Sequence, residues 1–205
     1  MLPVVTIGKS RREEYSETTR RALLDSATAL FAERGYARTS LDEIAADARV
    51  TKGALYGHFP SKQALFRAVL QELEARVSEQ VQRAAAVPGT AWEGAIAGLD
   101  AFLRACCDTV YGRVVMREGP VALPYAEWSA AGELHSYRLV GGMLEMLAEA
   151  GEIDPLPLEP AARIVHSMVG TAAMLIAAAE PADQQQAFED ARAVILRFAE
   201  GMRRR

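Results

Sequence analysis

The sequence predicts an all-α protein of about nine helices. Apolar residues recur at intervals of three and four along most of the chain, as Leu23, Ala27, Leu30 and Phe31 do, which is typical of helices with one buried face. No segment alternates apolar and polar residues as a strand does. The separators, such as VPGT at 87–90, are short and rich in turn formers. These observations favour helices packed on helices.

The composition is that of a globular protein. Of 205 residues, 50% are hydrophobic and 24% are charged, which excludes a disordered chain and allows one domain or two. No charged segment followed by an apolar core opens the sequence, so no signal peptide is predicted. The longest uncharged run, 164–179, is shorter than the ~20 residues that cross a bilayer. We expect a cytoplasmic protein with no membrane partner.

The charge is divided unevenly along the chain. Residues 1–83 carry 13 basic and 11 acidic side chains, whereas residues 84–205 carry 10 and 16, which together give the net charge of −4. The difference suggests an anionic partner for the first part only.

The sequence predicts no metal and no cofactor. Cys106 and Cys107 are adjacent, which fits neither a C-x-x-C motif nor a disulfide framework, and we expect buried thiols. His135 and His166 lack the close spacing or the carboxylate partner of a metal site.

The amino-terminal part is predicted to contain a flexible basic arm and four helices. The arm, residues 1–15, lacks periodicity and holds Lys9, Arg11 and Arg12. The first helix follows from Glu17, and Gly35 ends it. We expect one domain to cover residues 16–76.

Two short helices follow. Ser40 and Glu43 have the spacing of a capping box at the start of a helix over 41–48. The chain turns through Arg49 and Val50, and Thr51 can cap a third helix that reaches Phe59. The fourth helix is long, with Leu65, Phe66, Val69, Leu73, Val77 and Val81 along its apolar stripe.

The third helix, within TKGALYGHFPSK at 51–62, carries an unusual set of polar side chains. Leu55 and Phe59 lie four residues apart and are expected to face the core, which turns Lys52, Tyr56 and His58 outward. Two short helices joined by a tight turn fit a helix-turn-helix motif over about 40–59, whose second helix enters the DNA major groove. Because one such helix offers few side chains to the bases, a long site would need a symmetric dimer.

The stretch RRALLDSATALFAERGYARTSLDEIAADARVTKGALYGHFPSKQALFRAVL, residues 20–70, resembles the DNA-binding domain of the TetR family of bacterial transcriptional regulators. FAERGY, TSLDEIA and TKGALYGHFPSKQALF occur in the family's order and spacing. Where the family usually has glycine in the turn, this chain has Arg49. The resemblance implies operator-DNA contacts from Thr39, Ser40, Thr51, Lys52, Gly53, Ala54, Tyr56, His58 and Lys62.

Residues 77–205 are predicted to bind an effector and to form a homodimer. Approximate helices cover 91–107, 109–118, 124–150, 159–180 and 183–203. We expect the last two, from each subunit, to form a four-helix interface. The side chains predicted to line the interface are Phe188, Ala191, Ile195, Phe198 and Met202.

Aromatic, methionine and histidine side chains are the effector-pocket candidates: Phe102, Tyr111, Met116, Trp128, His135, Met143 and His166. Such residues form cores as well as pockets. The resemblance implies a repressor that leaves a palindromic operator when a small molecule binds. Three alternatives stay open: an activator, a regulator without a ligand whose core around Trp128 and His135 is fully packed, and, remotely, an all-α enzyme or carrier.

Overall fold

The computed structural model describes residues 11–124, 126–128 and 136–204, and in these ranges the chain is built from helices. Besides α-helices, these ranges contain the π-helical segment Gly112–Glu118, a short π-helical turn at 136–137 and an isolated β-bridge between Ile153 and Arg203, and they contain no strand. The α-helices are α1 (Arg11–Arg34), α2 (Leu41–Asp47), α3 (Lys52–His58), α4 (Lys62–Ala85), α5 (Ala91–Cys106), α6 (Gly119–Ala122), α7 (Arg138–Glu149), α8 (Leu158–Ala178) and α9 (Gln184–Glu200). The all-α prediction with about nine helices is confirmed.

The chain consists of two compact units, and the boundary between them falls between Val69 and Leu70, within α4. The sequence-based boundary at residue 76 falls later along the same helix. Because the apolar stripe of α4 runs without a break through both parts, the sequence pattern does not mark where one core ends and the next begins.

The predicted flexible arm is wrong for residues 11–15, which belong to α1, while residues 1–10 lie outside the described part of the chain. The first turns of α1 are exposed and therefore show no apolar periodicity. Glu13 and Glu14 lie in the first turn, where negative charge stabilises a helix through its dipole.

The first unit packs α1, α2, α3 and the start of α4 around a shared core. Gly35 ends α1 with a φ of 83°, a conformation that glycine adopts without strain. Ser26 of α1 donates a hydrogen bond of 2.7 Å to Asp47 at the end of α2. The fully buried core side chains are Leu23, Phe31, Ile44, Leu55, Leu65 and Phe66. The core therefore fixes both short helices against the long ones.

The turn between α2 and α3 has left-handed backbone geometry even though no glycine is present. Arg49 has a φ of 55°, and its amide donates to the carbonyl of Ala46 at 3.1 Å. A residue with a Cβ atom pays roughly 1–2 kcal/mol in this conformation. The surrounding core, with Ile44 and Leu55 buried on either side of the turn, holds Arg49 there.

Replacing Arg49 with glycine is expected to raise the free energy of unfolding by about 1 kcal/mol, because it removes this steric strain. Ala48 is the matched control, since its φ of −70° suits any residue and glycine there should destabilise by roughly 0.5–1 kcal/mol. Urea denaturation of both variants measures the difference. An Arg49→Gly variant no more stable than the wild type would contradict the strain.

The second unit is a helical bundle made of the rest of α4 and α5–α9. Thr90 and Glu93 form a capping box at the start of α5, and the Glu152 carboxylate accepts the amides of Ala91 and Trp92 at 3.1 and 2.9 Å. One core cluster contains Trp92, Leu144, Leu147, Ile153 and Ala162. Of the two thiols expected to be buried, Cys106 is buried and Cys107 is half-buried.

Candidate nucleic-acid interface and ligand cavity

The outward face of α3 is the candidate nucleic-acid interface. Leu55 and Phe59 are buried, as the sequence predicts, while Lys52 and Tyr56 are exposed. A side chain built at Gly53 would meet no atom within 4 Å, so the backbone there is open to close approach. The face combines a cation, a phenol and bare backbone, which suits both phosphate oxygens and base edges.

Lys52 is held by a neighbouring acid rather than pointing freely into solvent. Its Nζ donates to the Asp42 carboxylate of α2 at 2.6 Å, and this hydrogen bond raises the pKa of Lys52. Both side chains are exposed, so the ion pair is weak. A DNA phosphate that binds Lys52 must displace Asp42, whose charge would also repel the phosphate.

Ser40 and Thr51 lie at exposed helix starts, and both cap their helices. Ser40 Oγ accepts the Glu43 amide at 3.2 Å, and the Ser40 amide donates to the Glu43 carboxylate at 2.8 Å. The hydrogen bonds with Ser40 lower the pKa of Glu43. Thr51 Oγ1 accepts the Ala54 amide at 3.2 Å. The capping predictions are confirmed, whereas DNA contacts from Ser40, Thr51, Ala54 and the half-buried His58 stay predictions.

Two of the predicted DNA-contact side chains have a different role. Thr39 is buried and donates its hydroxyl to the carbonyl of Gly35 at 2.9 Å. Lys62 donates to the carbonyls of Tyr36 and Thr39 at 2.7 and 2.8 Å, and burial lowers its pKa. Both side chains hold the loop between α1 and α2, and their contacts with DNA stay predictions. The sequence shows their polarity but not the inward-facing carbonyls that satisfy it.

The second unit encloses a cavity of about 520 Å³, large enough for a small organic molecule. It is lined mainly by apolar and aromatic side chains from α4, α5, α7, α8 and α9 and from the π-helical segment. Six of the predicted effector residues line it: Phe102, Tyr111, Met116, Trp128, Met143 and His166. The seventh, His135, lies outside the described residues. The aromatic and methionine residues that periodicity alone assigns to a core thus surround open space.

Two hydrogen bonds shape the polar parts of the cavity wall. Trp128 donates its indole N–H to the carbonyl of Val115 in the π-helical segment at 3.0 Å. His166 Nε2 and Ser136 Oγ are 2.8 Å apart. Both hydrogen bonds lie within the protein, so they hold these side chains in the cavity wall.

Glu74 is the cavity residue that the sequence analysis missed. It is only 6% exposed, and burial raises the pKa of its carboxyl to about 7, with the neighbouring Tyr111 hydroxyl opposing the shift. The signal was present in the sequence, because Glu74 follows Leu70 and precedes Val77 and Val81 at helical spacing. An acid within an apolar stripe is expected to be buried, and buried acids are uncommon outside functional sites.

Glu74→Gln is expected to change how stability depends on pH. The pKa of Glu74 is higher in the folded protein than in the unfolded chain, so the wild type loses stability as pH rises from about 4.5 to about 7. The loss is about 3 kcal/mol, and the glutamine variant cannot show it because its amide does not titrate. Urea denaturation at pH 5 and pH 8 measures the difference, with exposed Glu79→Gln on the same helix as control. Equal pH dependence in wild type and Glu74→Gln would contradict the buried carboxyl.

The Tyr111 hydroxyl is buried and makes no hydrogen bond within the described part of the chain. The Glu74 carboxyl lies beside this hydroxyl, and each group shifts the pKa of the other. Burial raises the pKa of Tyr111 well above its usual value, and Glu74 and Cys106 raise it further. The phenol is therefore neutral and lacks a partner.

Tyr111→Phe is expected to raise the free energy of unfolding of the unliganded protein by about 1 kcal/mol, because it removes a buried polar atom without a partner. Tyr137→Phe, at a half-buried ring stacked near Arg163 and His166, is the control and should change little. Thermal denaturation compares them. Destabilisation by Tyr111→Phe would mean that the hydroxyl has a partner in solution.

Two of the side chains predicted to form the dimer interface are buried inside the protomer, and the interface itself stays a prediction. Phe188 and Ile195 are buried within the protomer, and Ala191 and Met202 are half-buried, so that only Phe198, at 63% exposure, faces solvent. Helix α9 carries apolar residues on two faces, and periodicity alone does not show which face meets the protomer's own core.

A different set of large apolar side chains is exposed on the packed helices α8 and α9: Ile164, Leu175, Val194 and Phe198, which we call the apolar patch. Helix α8 is long and apolar enough to cross a membrane by length and composition, and 28% of its most apolar 18-residue stretch is buried in the protein. One such helix is weak evidence for a membrane span. Large exposed apolar surfaces more often mark protein interfaces.

The chain matches family models over both units. Residues 23–69 match the model described as bacterial regulatory proteins, tetR family, and residues 92–202 match the tetracyclin repressor-like C-terminal domain. The second of these models alone covers more than half of the chain. The chain belongs to the tetR family of bacterial regulatory proteins, which confirms the resemblance seen in the sequence.

Individual proteins are similar over different parts of the chain. The A-factor receptor protein of Streptomyces griseus is 31% identical over 162 residues, 74% of this chain and 53% of that protein. The regulator AcrR of Shigella flexneri is 38% identical over 80 residues, 38% of this chain and 37% of that protein. The chain thus spans about half or less of these relatives. The structure of a TetR-family regulator from Pectobacterium atrosepticum is 26% identical, with a TM-score of 0.82 over 96% of this chain and 99% of that one.

Proposed function

We propose that this protein is a DNA-binding transcriptional regulator that binds a palindromic operator as a homodimer and leaves it when a small molecule enters the cavity. The observation that supports this most is the outward face of α3, where Lys52, Gly53 and Tyr56 are exposed while Leu55 and Phe59 anchor the helix. The family to which the chain belongs is described as bacterial regulatory proteins, which supports the regulatory role. Repression rather than activation is proposed because curated relatives include repressors.

Recognition by a single copy would be short. Helix α3 has seven residues, and its outward face presents Lys52, Ala54, Tyr56 and His58 to a major groove. A good bidentate base contact contributes about 1–3 kcal/mol of discrimination. Two copies related by a two-fold axis would read two half-sites about one helical turn, or a multiple of it, apart. A palindromic operator follows from this symmetry.

The apolar patch supports the homodimer. A two-fold interface uses the same surface on both subunits, and α8 and α9 offer Ile164, Leu175, Val194 and Phe198 on two neighbouring helices. Pairing two such helices from each subunit gives a four-helix interface that removes these side chains from water. The predicted helices therefore remain in the proposal, with different side chains at their contact.

The cavity supports control by a ligand. Helix α4 contributes Leu65 and Phe66 to the core of the first unit and Glu74 and Val81 to the cavity wall. A ligand that shifts α4 would change the positions of the two α3 helices in the dimer. A coupling of ~1–3 kcal/mol would change operator affinity about 5–150-fold.

The rival regulator without a ligand is less well supported, because it predicts a filled core around Trp128, where a cavity of about 520 Å³ lies. The A-factor receptor protein, a relative, is named for receiving a ligand. The named relatives are regulators, receptors and repressors rather than enzymes, and we propose that this chain likewise catalyses no reaction. A regulator of this kind acts in the cytoplasm.

Selection of bound duplexes from a random DNA library tests the proposal. We expect recovered sequences to share two inverted half-sites, and binding to weaken steeply with salt because phosphates are neutralised by basic side chains. Arg83→Ala, which removes an exposed charge on α4 outside the first unit, should recover the same sequences. A library without any enriched sequence would refute specific DNA binding.

A further inference from the structure

The carboxyl of Glu74 faces an apolar cavity without a positively charged partner. Its side chain projects from α4 into the cavity, among walls that include Val81, Phe102 and Leu144. In the described part of the chain, the Tyr111 hydroxyl is the one polar group that lowers the pKa of this carboxyl. A buried carboxylate without a cation is costly, so an acid at this position needs an explanation other than the stability of the fold.

Tyr111 is a second group that lacks a partner at the same end of the cavity. Its hydroxyl is buried and unbonded, and its ring meets that of Phe102 edge-on with centroids 6.4 Å apart. Native proteins rarely leave a buried hydroxyl unsatisfied. A buried acid and a neighbouring buried hydroxyl without a geometric partner, both lining one cavity, indicate a place where the polar group of a ligand binds.

We propose that the cavity selects organic cations: molecules with an aromatic or aliphatic body and a protonated amine that binds between Glu74 and Tyr111. The ammonium donates N–H bonds to the Glu74 carboxylate and to the Tyr111 oxygen, and the Tyr111 hydroxyl donates its own proton to the second carboxylate oxygen. The body of the ligand packs against the apolar wall, where aromatic faces such as that of Phe102 attract a cation. This inference rests on the proposed ligand-binding function and specifies its chemistry.

A cation fits this pair better than the other head groups. An anion would place a second negative charge against Glu74. A neutral alcohol could bond to either group, but it would leave the buried carboxylate uncompensated. Only a cation satisfies both the charge and the hydrogen bonds.

The affinity of the cavity for a cation should rise with pH. The cation requires ionised Glu74, whose pKa is about 7 in the unliganded protein, so affinity rises as pH increases from 6 to 8, about tenfold. The other titratable groups at this cavity are Tyr111, which burial keeps neutral, and His166, while buried Cys106, also neutral, lies near Glu74. Because His166 is a second titratable side chain of the cavity wall, the Glu74→Gln variant isolates the contribution of Glu74.

Three probes that differ only in their head group test the inference: 4-phenylbutylamine, 4-phenylbutan-1-ol and 4-phenylbutanoate. Calorimetric titration of the full-length wild-type protein at pH 8 should show that the amine binds at least tenfold more tightly than the alcohol, and that the carboxylate binds most weakly. The affinity for the amine should fall about tenfold at pH 6, whereas that for the alcohol should stay level or rise.

The variant Glu74→Gln should bind amine and alcohol with similar affinity and lose most of the pH dependence. Glu79→Gln, which removes an exposed charge from the same helix, should behave as the wild type. Tighter binding of the alcohol, equal affinities in the wild type, or binding of none of the three probes would overturn the inference. Operator binding, measured in the same samples without probe, tests the proposed regulator separately, so that a cavity of different selectivity is distinguished from a protein that does not bind DNA. If Glu74→Gln does not fold, the order of affinities of the three probes for the wild type still decides the test.

Discussion

Replacing Phe198 with aspartate is expected to convert the proposed homodimer into a monomer. Phe198 is 63% exposed in the protomer and lies on α9 one turn from Val194, also exposed. In a two-fold interface each substitution occurs twice, and two buried carboxylates would lack partners. We expect the molecular mass measured by light scattering to fall to half, near the 22.2 kDa of one chain. Operator affinity should fall by more than 100-fold, since each monomer reads only one half-site.

Val121→Asp is the matched control for this experiment. Val121 is the more exposed of the two, at 82%, and lies on α6, away from both helices of the apolar patch. It should leave the mass and the operator affinity unchanged. A Phe198→Asp protein that remains a dimer would place the interface elsewhere, whereas a wild type that is already monomeric would refute the dimer itself.

The double substitution Lys52→Ala with Tyr56→Phe is expected to reduce operator affinity by at least about 100-fold while leaving the dimer intact. Both side chains lie exposed on α3, whereas Leu55 and Phe59 anchor the helix in the core. Each is lost twice per dimer, and contacts of this kind are worth about 1–3 kcal/mol. Removing one lysine per copy should also lower the slope of log affinity against log salt by about 2. Fluorescence anisotropy with the selected duplex measures both quantities.

Arg83→Ala provides the control for loss of charge, because Arg83 is exposed on α4 and pairs only with Glu79 among the described contacts. It should change affinity little. Unchanged affinity in the Lys52/Tyr56 variant would mean that α3 does not enter the groove, and loss of affinity accompanied by dissociation would mean that the substitutions act through folding.

The sequence predicted the fold well because its signals were local. The capping box of Ser40 and Glu43, the cap at Thr51 and the stop at Gly35 involve neighbouring residues, and each appears where expected. The buried stripe of α4 follows from helical periodicity in the same way. The left-handed turn at Arg49 did not follow from local preference, because the packing of α2 and α3 imposes it against the preference of a residue with a Cβ atom.

The inward or outward direction of individual side chains was predicted less well, because it depends on three-dimensional packing. Lys62 and Thr39 are polar and were assigned outward roles, yet backbone carbonyls of the α1–α2 loop bind both. Two apolar faces on α9 made Phe188 and Phe198 equivalent by periodicity, although one is buried in the protomer and the other is exposed. Glu74 was missed because the stripe of α4 was read from its apolar residues alone.

The cavity was predicted only in part. Aromatic residues and methionines such as Phe102, Met116 and Met143 were recognised as candidates, but composition does not distinguish a filled core from a lined space. The space arises from how five helices and the π-helical segment are placed around it, which depends on contacts far apart in the chain.

The most direct test of the account is the affinity of the wild-type protein for its selected duplex and for a scrambled duplex of the same length, measured by anisotropy at several salt concentrations. We expect the selected duplex to bind at least about 1,000-fold more tightly than the scrambled duplex at physiological salt, with one dimer per site. Equal affinity for the two duplexes would contradict it, because α3 would then hold phosphates without reading bases.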